Sequence, residues 1–478
     1  MNRFIKRNLA GSVRVCQCAV AAAILGAVAW AGAGHADADV IHVHHVRTVG
    51  QSNAYGPPVA TVGGHIDFDA DGFLYVGTPG ARSSIQKLDH QGRVIWSHFH
   101  NVPGFQGIAV DDQFVYSCGA GFYGHRQVMR FRRDSGGTAR GWQHEWKDGP
   151  SDGVRPMGLP VAIVVDDQYL YVVDQRGHEL RRLDKTTGKE APFVKRVMVV
   201  EPRDVAMTTD GRLLILTAES LLETDRDGEP LRTPLIDGLS NAVAVAHAPS
   251  SGEIYIAEGG AGGQSINRVR RYTADGEPTD WTLGRGGTPH GPWSPETFFF
   301  SGGTGEVAVG PKGRLWVNPG WSDKLIRSLH VLHCFDKAGD YSHSIMGTEA
   351  RDIALRSDLS IVISGQAMFR ADGQLAWTSG LIREDGSPWY PGTHTHWFTL
   401  PRVVGDRLMI HNIPGKTLTE YDPKTGRLLN QDAPIATDAG GMTFASDAGV
   451  YQLIAKTGQV QKWDDAEAAW QTIFELPG

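Results

Sequence analysis

Residues 162–188 read AIVVDDQYLYVVDQRGHELRRLDKTTG. An aliphatic run leads into an Asp-rich turn, a second apolar run follows, and a third run ends in an acidic residue before a Gly turn. Short apolar runs separated by Asp and Gly turns are typical of antiparallel β-hairpins. The stretch therefore predicts successive strands of one small sheet.

The same pattern returns about nine times between Gly63 and the C-terminus. Further copies are HIDFDADGFLYV from His65, DVAMTTDGRLLIL from Asp204 and EVAVGPKGRLWV from Glu306. In the copy that begins at Asp204 we predict four strands, namely DVAM, LLIL, LLETD and the PLRTPLI region. A unit of roughly 40 to 50 residues with several strands is typical of a propeller blade, because one blade alone cannot bury both faces. The sequence predicts an all-β fold, a single β-propeller with eight or nine four-stranded blades.

Residues 1–38 have the pattern of a signal peptide. Basic residues precede an apolar run from Ala19 to Ala31, and small residues then offer cleavage after Ala36 or Ala38. We expect the propeller domain to cover residues 39–478, with the alternating stretch 40–49 as a candidate closing strand. No other stretch approaches the ~20 apolar residues of a membrane span. We therefore expect a periplasmic or secreted protein whose mature chain has no membrane span.

The charge of the chain argues against nucleic acid as a partner. The formal net charge is −7, and removing residues 1–36 takes away four positive charges and no negative one, which leaves about −11. Phosphate binding relies on concentrated Lys and Arg, so this balance disfavours it. Two cysteines remain in the mature chain, Cys118 and Cys334. We expect two separate buried thiols, and the alternative is a disulfide across the ring.

The DxDGxLYV pattern followed by xxLDxxG, and above all residues 172–188, resembles NHL-type repeats. These repeats belong to a wider group of propellers that includes gluconolactonase-like and TolB-like proteins, and the likeness covers most of residues 60–465. The resemblance implies a β-propeller. It leaves the function open, because the group includes metal-dependent lactonases, lyases such as the peptidyl-amidoglycolate kind, and binding scaffolds.

The residue before each inner aliphatic triplet is expected to point toward one mouth of the central channel, which we call the upper mouth. Oxygen donors with one or two imidazoles suit Ca²⁺ or Mn²⁺, or a mixed Zn²⁺ site. In gluconolactonase-like proteins the ligands are carboxylates and amides at comparable places, which implies the same for this chain. We predict one divalent metal (Ca, Mn or Zn), with the candidate ligands Asp204, Asn241, Glu306, Asp352, His290 and His394. The alternative is that the Arg-Asp pairs of the ring satisfy one another.

Long insertions bring histidines and aromatic residues to the same face. His394 and His396 alternate along the chain, so their imidazoles can project from one side of a strand and share a metal, with His290 or His65 as a third ligand. The alternative is a histidine with a structural role. Aromatic rings beside polar groups suit a saccharide, although the same rings can simply pack the loops down. The predicted substrate-binding residues are Trp293, Trp321, Trp389, Tyr390 and Tyr123.

Two functions remain open. The first is an exported lyase or hydrolase that acts on a carbohydrate or other oxygen-rich substrate at the upper mouth. Its base would be His65 or His396, since imidazole titrates near neutral pH. A substrate carboxylate would be held by Arg203, Arg351 or Arg402. The second is a non-catalytic propeller that binds a partner protein or an envelope polymer. An open space between the mouth residues favours the enzyme, and ion pairs that fill the channel favour the scaffold.

Overall fold

The computed structural model describes residues 65–475, within the compact unit Val49–Gly478, and forms 39 β-strands and no α-helix there. These described residues include no helix that is long and apolar enough to cross a membrane. The stretches left out are 79–83, 91, 100–105, 121–125, 147–157, 260–265, 287–290, 293, 301–304, 321–328, 349–352, 359, 364–366, 372–374, 379–398, 405, 413–416, 427–428, 430–434, 438–441, 447–448 and 455.

The strands follow one another as four-stranded antiparallel sheets, which we number blade 1 to blade 9 in chain order. Blades 1 to 3 contain β1 (Ile66–Phe68), β2 (Leu74–Thr78), β3 (Ser84–Leu88), β4 (Val94–Phe99), β5 (Gly107–Val110), β6 (Phe114–Ala120), β7 (Arg126–Arg132), β8 (Thr138–Trp146), β9 (Pro160–Val165), β10 (Tyr169–Asp174), β11 (Glu179–Asp184) and β12 (Val197–Met198). Blades 4 and 5 contain β13 (Asp204–Met207), β14 (Leu213–Leu216), β15 (Leu221–Thr224), β16 (Pro230–Ile236), β17 (Ala242–His247), β18 (Ile254–Glu258), β19 (Arg268–Tyr272) and β20 (Pro278–Leu283).

Three short strands, β21 (Arg285–Gly286), β22 (Gly291–Pro292) and β23 (Thr297–Phe298), separate blade 5 from blade 6. Blades 6 to 9 then contain β24 (Glu306–Val309), β25 (Leu315–Asn318), β26 (Leu329–Phe335), β27 (Tyr341–Thr348), β28 (Ile353–Leu355), β29 (Ile361–Ile363), β30 (Ala367–Phe369), β31 (Leu375–Thr378), β32 (Thr399–Val404), β33 (Arg407–Asn412), β34 (Thr417–Tyr421), β35 (Ile435–Ala436), β36 (Met442–Ser446), β37 (Gly449–Ile454), β38 (Gln459–Asp464) and β39 (Ala469–Glu475). Eight four-stranded sheets and a ninth sheet of five strands in the described part of the chain confirm the predicted all-β propeller fold and the count of eight or nine blades.

The predicted strand boundaries of blade 4 are confirmed almost residue by residue. The four strands are DVAM, LLIL, LLET and PLRTPLI, and β13 pairs with β14 from Asp204 opposite Leu216 to Met207 opposite Leu213. The hairpin between them closes through the amide of Gly211, which donates to the Thr208 carbonyl at a distance of 2.9 Å, with φ of +84° at the glycine. An Asp-Gly pair therefore supplies the left-handed residue that this tight turn requires.

The first six blades close on one another. Their inner strands β1, β5, β9, β13, β17 and β24 contact in that order, and β24 also contacts β1. One apolar cluster joins Ile66 and Leu88 of blade 1 to Trp316 and Ile345 of blade 6. Because each blade then has a neighbour on both faces, this part of the chain needs no further sheet to bury its core.

A recurring contact links each of several blades to the next. The Trp96 indole of blade 1 donates to the carbonyl of Arg133 in blade 2 at 3.0 Å, and a Cβ on Gly136 of that turn would lie 2.5 Å from the same ring. Blade 6 makes the equivalent contact with blade 1, since a Cβ on Gly92 would lie 2.6 Å from Ile345. The same indole-to-turn contact recurs at Trp142 with Lys185, Trp281 with Ala338 and Trp377 with Pro423.

Blades 7, 8 and 9 form a row of their own. Val362 and Trp377 of blade 7 pack with Leu408 of blade 8, and Leu418 of blade 8 packs with Val450 of blade 9. The strand β22, which precedes blade 6, pairs with β31 of blade 7 and so adds a fifth strand to that sheet. The described part of the chain therefore consists of a six-blade ring followed by three more blades.

Cys118 and Cys334 do not form a disulfide with each other. Cys118 lies in blade 2 and Cys334 in blade 6, and both are buried and free. This confirms the expectation of two buried thiols. Burial raises the pKa of Cys118 to about 12 and that of Cys334 to about 11, because an apolar environment disfavours the thiolate.

Candidate functional site

The inner strands bring three titratable side chains to one end of the six-blade ring. His65 directly precedes β1, Asp204 begins β13 and Glu306 begins β24. The backbone amide of His65 donates to the Gln106 carbonyl at 2.7 Å, which fixes this residue between blades 1 and 2. Because all three residues stand at the same position of their blades, ring closure places their side chains against one another.

The imidazole of His65 lies between the two carboxyl groups. Its Nδ1 is 3.1 Å from Glu306 Oε2 and 3.5 Å from Asp204 Oδ1. The side chains of Asp204 and Glu306 are 2% and 5% exposed, whereas that of His65 is 15% exposed. We call these three residues the mouth cluster. Its geometry joins one imidazole nitrogen to two carboxylates that are almost removed from solvent.

Backbone amides hold the two carboxyl groups in place. Asp204 Oδ1 accepts from its neighbour Val205 at 2.8 Å, and Oδ2 accepts from Val245 of blade 5 at 2.7 Å. Glu306 Oε1 accepts from Val307 at 3.1 Å. The Asp204 carboxylate therefore also ties the inner strand of blade 4 to that of blade 5, while Glu306 keeps Oε2 directed at His65.

A cavity of about 640 Å³ runs along the inner strands from the mouth cluster. Its wall is mainly aliphatic, with residues such as Ile108, Ala206 and Ala308. At the opposite end it is lined by residues that follow the inner strands, among them Pro249 and Pro311. The cluster thus lies at one end of a channel that is large enough for a small molecule.

Asp67 is a channel residue that our sequence reasoning missed. Its Oδ2 accepts from Val110 of blade 2 at 2.8 Å and its Oδ1 from Phe68 at 2.8 Å, which repeats the geometry of Asp204. It lines the same cavity. The signal was present, because the β1 triplet IDF carries an acid where other inner strands have IAV, IVV or VAM.

Burial favours the neutral form of every group in the cluster. It lowers the pKa of His65 to about 4 and raises the pKa of Asp67 to about 7. It also raises the pKa values of Asp204 and Glu306, and the nearby Asp204 charge raises that of Glu306 further. Without a cation, the site therefore favours a neutral imidazole beside protonated carboxyl groups.

Two predicted residues beside the cluster bind each other. The Arg203 guanidinium Nη1 donates to Asn241 Oδ1 at 2.6 Å and to the Ala242 carbonyl at 2.8 Å. Asn241 adopts a positive φ of 50° there. Arg203 thus spans blades 4 and 5, and its guanidinium is engaged with Asn241 rather than with the neighbouring Asp204 carboxylate.

The remaining predicted site residues lie elsewhere. Arg402 belongs to blade 8, where it donates to the carbonyls of Thr443 at 2.9 Å and Pro401 at 2.7 Å, and it does not line the cavity. The other predicted residues lie outside the described part of the chain, namely His396, Arg351, Asp352, His290, His394, Trp293, Trp321, Trp389, Tyr390 and Tyr123.

The donor set of the mouth cluster fits a divalent metal. One nitrogen of His65 and one oxygen each of Asp204 and Glu306 lie within 4.8 Å of one another. Two carboxylates with one imidazole are ligands that Mn²⁺ and Zn²⁺ accept, and the oxygens also suit Ca²⁺. Of the predicted ligands, Asp204 and Glu306 are therefore brought together, with His65 as a third donor, and Asn241 is turned to Arg203.

The fold and this site define a β-propeller protein with a histidine–carboxylate cluster in its channel. The chain matches no protein-family profile and no curated protein. Among solved structures it is similar to a streptogramin B lyase, with 14% identity, coverage of 64% of this chain and 92% of that chain, and a TM-score of 0.39. It is also similar to the virginiamycin B lyase from Staphylococcus aureus, with 13% identity, 68% and 93% coverage, and a TM-score of 0.37. A nidogen/laminin complex gives 13% identity, 57% and 92% coverage, and a TM-score of 0.41.

Proposed function

We propose that this protein is an exported β-propeller of the NHL and gluconolactonase-like group and a lyase or hydrolase. Its substrate would be a carbohydrate or another oxygen-rich compound at the upper channel mouth. The observation that carries the proposal is the contact of His65 Nδ1 with Glu306 Oε2 at 3.1 Å, at one end of a cavity of about 640 Å³. Perturbed titratable groups in a cavity are the usual mark of an active site.

In this mechanism the carboxylate orients the imidazole. Nδ1 of His65 faces Glu306 and Asp204, so the proton on that nitrogen is held by a carboxylate and Nε2 is left as the basic nitrogen. Burial keeps His65 neutral, so it is able to accept a proton from a substrate C–H or O–H. This step requires one of the two carboxyl groups to be ionised, because that carboxylate offsets the low basicity that burial imposes and stabilises the imidazolium.

A divalent metal held by His65, Asp204 and Glu306 would instead polarise a substrate oxygen and neutralise the buried carboxyl groups. Elemental analysis of the mature protein, purified from the periplasm without tag or chelator, separates these forms of the proposal. About one Ca, Mn or Zn per chain supports the metal form, and a metal-free active enzyme supports the acid–base form.

The test of the enzyme proposal is turnover of lactones and uronides by matched histidine variants. His65→Ala is expected to abolish turnover and to leave the melting temperature nearly unchanged. His247→Ala is the control, because His247 lines the same cavity at its other end. Equal turnover by both variants would remove His65 from the mechanism. His396→Ala, at the second predicted base, should likewise abolish turnover if that histidine acts.

A non-catalytic propeller is the second candidate. It is favoured by the backbone bonds of Asp67 and Asp204, which join neighbouring inner strands and give both acids a structural role. This function predicts no turnover of any lactone or uronide. It also predicts partner or polymer binding that is lost in Trp293→Ala, Trp321→Ala and Trp389→Ala.

Export is tested by the N-terminus of the protein recovered from cells. Cleavage after Ala36 or Ala38 gives a mature chain that begins at Asp37 or Asp39. Mass spectrometry of the periplasmic and cytoplasmic fractions distinguishes this chain from the full-length one. A full-length chain confined to the cytoplasm would contradict the proposal.

A further inference from the structure

The buried acids of this protein differ in their partners. Seven acidic residues are buried in the described part of the chain. Five have an arginine or lysine within 4.0 Å, namely Asp69 with Lys87 and Arg133, Asp174 and Glu179 with Arg181, Glu223 with Arg212 and Arg232, and Glu258 with Arg268 and Arg270. For the other two, Asp204 and Glu306, His65 is the partner. Among the described residues, the chain thus supplies a permanent cation to every buried acid except Asp204 and Glu306 of the mouth cluster.

The channel wall shows the same imbalance. Asp67 adds a third carboxyl group to those of Asp204 and Glu306, and no Lys or Arg is found among the described residues that line the cavity. Arg203, which directly precedes Asp204 in sequence, directs Nη1 to Asn241 and to a backbone carbonyl. Buried carboxylates are normally paired, because an isolated buried charge is strongly unfavourable. A cationic ligand that enters this cavity therefore meets carboxyl groups that have no Lys or Arg partner among the described residues, and its charge favours their ionised form.

We propose that the substrate carries a positively charged amine that binds the carboxyl groups of Asp204 and Glu306 from the cavity, beside His65, which makes it an amino sugar or a similar amine-bearing polyol. This inference rests on the proposed function, whose site it shares. It reverses the sequence prediction that an arginine holds a substrate carboxylate. A carboxylate would instead share the cavity with Asp67, Asp204 and Glu306, and with Asp69 at its other end.

The hydrogen bonds of the two acids favour an ammonium group. Three of their four carboxyl oxygens already accept one backbone amide each, from Val205, Val245 and Val307. A carboxylate has about four acceptor positions on its two oxygens, so each of these oxygens still has capacity for one more donor. An ammonium group offers three N–H donors that can reach different oxygens at once. The unused acceptor positions on several carboxyl oxygens therefore suit an ammonium group.

The test is calorimetric binding of four matched sugars to the mature protein, at a pH below the pKa of the amine. Glucosamine carries the charge, glucose and N-acetylglucosamine lack it, and glucuronate reverses it. We expect glucosamine to bind at least about tenfold more tightly than glucose, because a charge-assisted bond to a buried carboxylate is worth at least one decade of affinity. Glu306→Gln should remove this preference, so that glucosamine and glucose bind this variant with equal affinity. Asp275→Asn, at an acid that is 83% exposed, is the control and should keep the preference.

Each result decides the inference. Equal affinity for glucosamine and glucose, or tighter binding of glucuronate, overturns it. So does one divalent metal per chain that is lost in Glu306→Gln, because that metal would match the charge of Asp204 and Glu306. Turnover of neutral sugars that depends on His65, without any preference for the amine, overturns this inference and leaves the proposed function standing. Preferential binding of glucosamine without turnover of any sugar supports the amine site and contradicts the proposed enzyme function. A thermal melt of Glu306→Gln, expected near that of the wild type, shows that the variant is folded.

Discussion

Ring closure by six blades predicts a specific steric conflict at Gly92. The turn of blade 1 places this glycine at φ +78°, and a Cβ there would lie 2.6 Å from Ile345 Cγ1 and 2.9 Å from its Cδ1, in blade 6. An L-residue at such a φ costs about 1 to 2 kcal/mol, and overpacking adds about 1 to 3 kcal/mol. Gly92→Ala is therefore expected to lower the free energy of unfolding by about 2 to 5 kcal/mol, measured by urea denaturation.

Gly238→Ala separates the two contributions. Gly238 has a φ of +71°, and a Cβ there would meet nothing within 4 Å, so this variant reports the backbone term alone at about 1 to 2 kcal/mol. Ile345→Ala removes the atoms that the methyl group introduced by Gly92→Ala would strike. In the double variant we expect a favourable coupling of about 1 to 3 kcal/mol relative to the sum of the single changes. If Gly92→Ala costs no more than Gly238→Ala, or if the coupling is absent, blade 1 does not pack on blade 6 and the six-blade ring is wrong.

Three further predictions concern the core and the channel. Burial raises the pKa of Asp67 to about 7 from the usual 3.8, so its ionisation destabilises the folded state as the pH rises through this window. The free energy of unfolding of Asp67→Asn minus that of the wild type should therefore rise by at most about 4 kcal/mol between pH 4 and pH 7. His65 contributes in the opposite direction, but it is present in both proteins, so its contribution cancels in this difference. A difference that does not change with pH would contradict the prediction. Trp142→Phe removes the donor to the Lys185 carbonyl at 3.0 Å and should cost about 1 to 3 kcal/mol in urea, whereas no loss would mean that the indole contact does not join blades 2 and 3. Cys118 and Cys334 should not react with a thiol reagent in the folded mature chain, and two thiols should appear on unfolding; reaction in the native state would contradict their burial.

Much of the fold could be predicted from the sequence because the relevant signals are local. Apolar runs and Asp-Gly turns determine a hairpin without reference to other blades, so the strands of blade 4 were predicted almost to the residue. The closure of the ring depends on which side chains fit across a blade boundary, such as Ile345 on Gly92. That fit involves residues more than 250 positions apart, and no periodicity in the chain encodes it.

The candidate site was predicted in part for the same reason. His65, Asp204 and Glu306 stand at one position of the repeat, and a repeated position implies a shared ring in space. The sequence could not show that Arg203 binds Asn241. An arginine before an inner strand reads the same in sequence whether its guanidinium faces the channel or is hydrogen-bonded to a neighbouring blade. Asp67 was overlooked because it lies within a strand triplet rather than before one. An acid among the aliphatic residues of an inner strand is nevertheless a sign that its side chain faces the channel.

The closed ring also bears on how the protein is made. All of the described residues that line the channel, including His65, Asp204 and Glu306, are encoded before residue 312, and blade 6 ends at Thr348. Chains fold from the N-terminus while synthesis or translocation continues. The six-blade ring is therefore able to assemble around its channel while residues 349–478 are still to emerge. The last three blades would then add to a ring that is already closed.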